Sequence, residues 1–336
     1  MLEKPDLQDQ LIIDCMQEAY GLCVAQITFL PLGYDVNTAV YRIFTEDQAD
    51  YFLKLRKGDF NEITVALPHT LKAQGIQAII APLETRERQL WTSLDAYKLI
   101  LYPFIPGRDG YAVALSDQQW IDLGAAIKRI HTAHIPPALR WLIQQEIYSP
   151  RWREMVRSFQ AQVETTTFDD PTAAKLAAFM KTRRDVISQL VEHAAQLGHT
   201  LEARPLDFVL CHSDIHPGNL LVGENGMLYI VDWDNPIFAS KERDLMFIGA
   251  GMGNAGSSER EEALFYLGYS GDPGYAQTGV NAMALAYYRS ERIIQDIAAF
   301  CEQLLLTAEG GADREQAYQY FVGQFLPNHE VDIALS

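Results

Sequence analysis

The chain has 336 residues, a net charge of −17 and 48% hydrophobic residues, enough to fill more than one core, so two lobes are expected. The excess of carboxylates argues against nucleic acid as a partner, and the longest apolar runs, such as Leu99–Ile105, are too short to span a bilayer. Four cysteines (Cys15, Cys23, Cys211, Cys301) without paired spacing do not suggest a disulfide framework or a metal site. The opening MLEKPDLQDQ lacks the basic-then-apolar pattern of a leader, so a cytoplasmic protein with reduced thiols is expected.

From the N-terminus, Asp6–Tyr20 carries apolar residues at helical spacing (Leu7, Leu11, Ile12, Cys15, Met16, Ala19) and stops at Gly21. Val24–Leu30, Ala39–Phe44 and Tyr51–Leu55 read as strands, with Pro31, Gly33 and Asn37 punctuating the first gap. Asp59–Ala73 reads as a helix, with Asp59 and Glu62 spaced as a capping box and Gly75 at its end; Pro68 should kink it or end its regular part. Ile79–Leu83 and Tyr97–Tyr102 complete a strand-rich opening section. Beyond Pro103–Gly107 the pattern turns helical. Ser116 caps a helix to Ala133, followed by Arg151–Val163, Thr172–Leu197, Lys241–Ile248, Ser258–Leu267, Val280–Leu306 and Asp313–Phe325. Gly249–Ser258 and Gly268–Gly279 are the gaps on either side of the Ser258 helix. The expected architecture is α+β and bilobal. Residues 1–102 form an antiparallel-sheet lobe with one central helix, 103–107 a connector, and 108–336 a larger, mostly helical lobe.

Between the helices lies Val209–Asp234, VLCHSDIHPGNLLVGENGMLYIVDWD. Apolar residues lead to a polar loop, and a hairpin, Leu220–Val222 and Leu228–Val231, turns at Glu224, Asn225 and Gly226 to bring back Asp232 and Asp234. Moving a phosphoryl group to a hydroxyl needs a carboxylate near the departing proton and oxygen ligands for Mg²⁺ on the phosphates. Asp214 suits the first role, and Asn219 and Asp232 suit the second. The plain alternative is an Asx-rich turn ahead of a hairpin.

The loop resembles the protein-kinase pattern H-R-D-x-x-x-x-N followed by a metal-binding Asp. HSDIHPGNLL and IVDWD are more closely similar to the signatures of the aminoglycoside phosphotransferase family. The likeness to one aminocyclitol-directed branch runs over nearly the whole chain, through EIYSPRWREMVRSF, KERDLMFIGAGMGN and YYRSERIIQDIA. It implies a protein-kinase-like fold and a monomer using ATP and Mg²⁺ to phosphorylate a hydroxyl of a small cationic aminocyclitol, spectinomycin foremost.

The same resemblance assigns further roles. Lys54, on the strand Tyr51–Leu55, faces away from Leu53 and Leu55, towards either solvent or the nucleotide phosphates. Glu62 would pair with it, or belong to the capping box with Asp59. Gly33 lies in the loop over the phosphates, which lacks G-x-G-x-x-G spacing. The carbonyl of Pro103 and the amide of Ile105 would meet adenine. Asp234, Asp244 and Asp296 are candidates for an acidic substrate pocket. Asp244 could instead partner Arg243 or mark a helix start, and Asp296 could pair with Arg292 one turn away. His212 would brace the loop. Ser213 replaces the arginine of protein kinases, and the short interval from Asp234 to Glu242 leaves no room for an activation loop, so constitutive activity is expected. Two other readings are a kinase of a choline- or homoserine-like amino alcohol and a nucleotide-binding pseudokinase.

Overall fold

The structure is a computed structural model and describes residues 4–32, 37–204, 206–249, 258–307, 311–327 and 329–335. By contacts the chain divides into two compact units, Met1–Gln144 with Pro217–Pro236, and Gln145–His216 with Ile237–Ser336. The connector expected at 103–107 therefore falls inside the first unit. The hairpin after the polar loop also belongs there, although in sequence it follows helices of the second.

The first unit opens with α1 (Asp9–Ala19), β1 (Val24–Leu30), β2 (Thr38–Thr45), β3 (Asp50–Lys57), α2 (Ile63–Ala73), β4 (Thr92–Leu94), β5 (Tyr97–Pro103) and β6 (Gly107–Asp109). It continues through α3 (Asp117–His131) and α4 (Pro137–Arg140), and β7 (Gln144–Gln145) closes the stretch. Five antiparallel strands form one sheet in the order β1-β2-β3-β5-β4. Strand alternation sends Ala39, Tyr41 and Ile43 of β2, Leu53 and Leu55 of β3, and Leu99 and Leu101 of β5 to one face, where Ile12 and Met16 of α1 complete a core. The opposite face of β3 carries Lys54, placed between Val40 of β2 and Ile100 of β5.

Three local expectations need correction. Ile79–Leu83 is not a strand; Ile79 makes an isolated bridge to Ile230, and its neighbours run as irregular backbone. The capping box at Asp59 does not form, because α2 starts later: Glu62 is the N-cap residue without a side-chain cap, and the Asn61 side chain accepts the Ile63 N–H instead. Pro68 neither ends nor interrupts α2, which runs on to Ala73. Of the expected termini, Ser116 does cap α3, in a reciprocal box with Gln119.

In the second unit follow α5 (Arg151–Thr165), α6 (Pro171–Thr182), α7 (Arg184–Ala203) and β8 (Val209–Cys211). The hairpin β9 (Leu220–Gly223) and β10 (Leu228–Ile230) returns to the first unit, and β11 (Ile237–Ala239), α8 (Glu242–Leu245), α9 (Glu259–Ser270), α10 (Tyr275–Thr278), α11 (Ala282–Leu305), α12 (Gly311–Gly323) and α13 (Glu330–Leu335) complete the second. The helix expected over Thr172–Leu197 is two helices, broken at Arg183. Helix α11 packs against α5 and α7 and is the axis of this unit. A buried ion pair at 3.1 Å, Arg153 of α5 with Glu291 of α11, ties it in, and the Arg153 guanidinium also donates to the carbonyls of Ala194 and Tyr148. Satisfying a buried guanidinium this fully is the condition under which such a charge can be tolerated in a core. Among the described residues no helix is long and apolar enough to cross a membrane.

Candidate active site

Within the first unit, three of the sequence-derived residues meet. The Lys54 ammonium lies 3.4 Å from a carboxylate oxygen of Asp232 and 3.3 Å from one of Asp234. Its side chain is 18% exposed, so the alternative of a solvated strand lysine gives way to a paired one. Arg56, two residues along β3 and hence on the same face, reaches Asp234 at 2.8 Å. Glu62 is exposed at the start of α2, and the ion pairs of Lys54 among the described residues run to the two aspartates.

The hairpin delivers these aspartates. β9 and β10 pair Leu220 with Ile230 and Val222 with Leu228, and the turn closes at Gly226 with φ of 78°. The strand β6 lies against β9, and a Cβ at Gly107 would collide with the Val222 carbonyl, so the close approach requires glycine there. The chain then leaves the ladder. Val231 donates its N–H to the Asn219 carbonyl at 3.0 Å, and the Trp233 indole donates to the Ile230 carbonyl at 3.2 Å. Asp232 stands between them in the left-handed region, φ 64°, with its side chain 47% exposed. A non-glycine residue held there costs free energy that the surrounding contacts must offset, and such positions cluster at working sites. The Asn219 amide and the Asp232 carboxylate offer oxygen donors, the chemistry a hard divalent cation needs.

Pro103 ends β5 opposite Tyr51, and the Phe104 N–H donates to the Asp50 carbonyl. Gly33 lies outside the described residues, as do residues 34–36 and most of the glycine-rich gap after Gly249.

The second unit holds the other half of the chemistry. Strand β8 pairs with β11, Cys211 opposite Ile237, and the polar loop starts where that ladder stops. Asp244 of α8 is 1% exposed and accepts the N–H groups of His212 at 3.0 Å and Ser213 at 2.6 Å. Ser213 takes φ of 74°, and the buried His212 ring accepts the Asp214 N–H at 3.3 Å. Asp244 is thus a buried brace for the loop backbone, and it lies in the first turn of α8. His212 braces as expected.

Asp214 comes out of this clamp half-buried. One carboxylate oxygen lies 2.5 Å from the Arg292 guanidinium, and the other lies 3.7 Å from His216. Arg292 also reaches Asp296 at 3.1 Å, so a single arginine bridges the expected base and one expected pocket residue. The pairing of Arg292 with Asp296 along α11 was legible as an i,i+4 contact; the longer reach to Asp214 was not. Burial pushes the Asp214 carboxyl up, but Arg292 and then His216 outweigh it and hold the group below the ordinary carboxylate range. Burial likewise raises the Asp296 carboxyl, and there Arg292 offsets it in part.

A pH test follows from this balance. Removing Arg292 takes away the largest influence opposing burial at Asp214, so its pKa rises and ionisation needs a higher pH. In Arg292→Ala the acid limb of the kcat/KM profile is expected to move to higher pH, with Arg292→Lys moving it less. An acid limb that stays in place would refute the coupling.

The model of the phosphotransferase enzyme family matches residues 28–275. Among solved structures, spectinomycin phosphotransferase APH(9)-Ia in complex with ADP and spectinomycin is similar to this chain at a TM-score of 0.90 and 37% identity, covering 99% of each chain. The AMP-bound complex of that enzyme gives 0.86 and 37% over 97% of this chain and 98% of its own. Choline kinase LicA from Streptococcus pneumoniae shares the fold at 16% identity and a TM-score of 0.55, over 94% of this chain and 97% of its own. No curated protein sequence matches. The α+β, protein-kinase-like fold expected from the sequence is that of these relatives. With a family model matched over most of its length and a relative sharing 37% identity from end to end, the chain belongs to the phosphotransferase enzyme family and is an ATP-dependent small-molecule O-phosphotransferase.

Proposed function

We propose that the chain phosphorylates a hydroxyl of a cationic aminocyclitol, spectinomycin in the first place. The observation that carries this reading is the end-to-end likeness to spectinomycin phosphotransferase at 37% identity, which extends well beyond the kinase loop. In this reading Asp214 accepts the proton of the acceptor hydroxyl as its oxygen attacks the γ-phosphorus. The bond from that phosphorus to the β–γ bridging oxygen breaks, and its electron pair leaves with ADP. Lys54 turns from Asp232 to the nucleotide phosphates and stays beside Asp234. Asn219 and Asp232 are the residues that would hold Mg²⁺, which when bound neutralises phosphate charge.

Pro103 and Ile105 would present a carbonyl and an amide to adenine, with Gly33 in the loop over the phosphates and Glu62 a more distant support. By role, residues 1–102 serve the nucleotide, 103–107 the adenine and 108–336 the acceptor and the chemistry. In this reading a substrate ammonium would share Asp296 with Arg292, whereas Asp244 holds the loop backbone and Asp234 pairs with Lys54 and Arg56. The enzyme works as a cytoplasmic monomer in this reading.

A coupled ADP-release assay tests it, with Mg²⁺, ATP and a panel of spectinomycin, other aminocyclitols, choline, ethanolamine and homoserine. ADP release is expected with spectinomycin and not with the amino alcohols. Release confined to an amino alcohol would move the assignment to metabolite phosphorylation. Nucleotide binding without release for any acceptor would favour a pseudokinase.

A further inference from the structure

Arg56 has no role in the scheme above, yet it occupies a defined place on the nucleotide face of β3. Lys54 and Arg56 point to the same side of the strand, away from the core side chains Leu53 and Leu55. Lys54 sits opposite Val40 of β2, whereas Arg56 sits opposite Thr38, the first strand residue after the β1–β2 loop. Next to it, the Lys57 N–H donates to the Asn37 carbonyl at 2.9 Å and pins the end of that loop. The step from Lys54 to Arg56 is about 7 Å along the strand, so two long cationic side chains on one face can meet different phosphates of one triphosphate. It runs towards the loop expected to cover the phosphates.

Two further observations bear on Arg56. Its guanidinium lies 2.8 Å from Asp234, the carboxylate that Lys54 also approaches at 3.3 Å, so one acidic side chain holds two cations. Beside it opens a cavity of about 460 Å³ lined by Arg56, Asp59, Phe60, Asn61, Thr64 and Asp234. The cavity lies at the start of α2, whose N-terminal dipole favours negative charge. A cation kept at a cavity mouth by a carboxylate shared with a second cation can change partner when an anion arrives, because Asp234 stays neutralised by whichever cation remains.

We propose that Arg56 is a second phosphate-binding cation, held by Asp234 in the free enzyme and engaging the terminal phosphoryl group of ATP. Its planar guanidinium can grip two oxygens of that group at once and follow the charge as the group leaves ADP, where the ammonium of Lys54 acts as a point charge on the inner phosphates. The inference rests on the phosphotransferase reading and adds a residue to it. It predicts discrimination by phosphate number: a nucleotide that lacks the terminal phosphate does not sense Arg56.

Calorimetry in Mg²⁺ with ADP and with the non-hydrolysable analogue AMP-PNP, on the full chain and on Arg56→Gln and Arg56→Lys, reads this without turnover. Arg56→Gln is expected to weaken AMP-PNP about 10- to 100-fold, the scale of a hydrogen-bonded charge, and to leave ADP within about twofold; Arg56→Lys should recover part of the loss. A purely structural ion pair predicts lower thermal stability in Arg56→Gln with the two nucleotides affected alike, and that result overturns the proposal. If Arg56→Gln does not fold, Arg56→Lys decides: a selective loss of AMP-PNP affinity supports the proposal, and unchanged affinities overturn it. A wild-type chain that binds neither nucleotide overturns the phosphotransferase reading itself. One that binds both, with an AMP-PNP preference untouched by the Arg56 substitutions, removes Arg56 alone.

Discussion

Asp214→Ala is expected to lower turnover by ~10²–10⁴-fold, the contribution of a positioned general base, while the protein stays folded. The carboxylate is half-buried, ionised at neutral pH because Arg292 and His216 outweigh its burial, and aimed by a loop whose backbone Asp244 holds at two consecutive amides. The clamp lies on His212 and Ser213, not on the Asp214 side chain, so shortening that side chain leaves the loop anchored. The substitution does leave Arg292 paired with Asp296, which should cost some stability without unfolding the chain. Asp214→Asn is the matched control, because it keeps shape and hydrogen bonding and removes basicity. Both variants should bind nucleotide as the wild type does, by calorimetry, and fail in the ADP-release assay. A variant that keeps more than a tenth of the wild-type rate would rule out the base role.

How far such residues could be read from sequence depends on whether their partners are local. Lys54 was legible because strand alternation fixes its face whatever the strand packs against, and Asp214, Asn219 and Asp232 because their spacing is part of the chemistry. The same alternation sets Arg56 on the face of Lys54, but Arg56 was not among the expected site residues, and nothing in the sequence says that one carboxylate would hold both. Asp244 and Asp234 were assigned to a substrate pocket because a carboxylate in an acidic, substrate-binding context invites that role; burial against backbone amides in one case and pairing with two cations in the other depend on folding. Arg292 shows the limit most clearly. Its contact one turn along α11 follows from helix geometry, whereas the contact to Asp214 spans 78 positions and exists through the packing of α11 in its unit.

The same distinction explains the fold. Long periodic segments such as β1 to β3, α3, α5 and α11 appeared where the pattern put them. Ile79–Leu83 has the apolar run of a strand, but a run cannot say whether a neighbouring strand offers it hydrogen bonds, and here one bridge to Ile230 is what forms. Thr172–Leu197 kept one apolar period through Arg183, so the break between α6 and α7 left no signal of the glycine or proline kind.

Asp232→Ala is expected to remove the gain in nucleotide affinity that Mg²⁺ brings and to lower turnover by about 10²–10³-fold, the scale of deleting one preorganised charge-stabilising group. The carboxylate is the more exposed of the pair that Lys54 approaches, so it can turn to a cation while Asp234 keeps Lys54. Its backbone adds a second effect that has to be separated. At φ 64° an alanine pays about 1–2 kcal/mol for the left-handed conformation, so Asp232→Ala should also unfold at a lower temperature. Asparagine tolerates that conformation far better. Asp232→Asn should therefore keep most of the thermal stability and still lose most of the Mg²⁺-dependent affinity, since a neutral amide oxygen is a weaker ligand than a carboxylate. Calorimetric titration of ATP with and without Mg²⁺ separates the two effects. If both variants bind MgATP as tightly as the wild type, Asp232 is not the metal ligand, and its left-handed backbone serves to seat the turn between Val231 and Trp233.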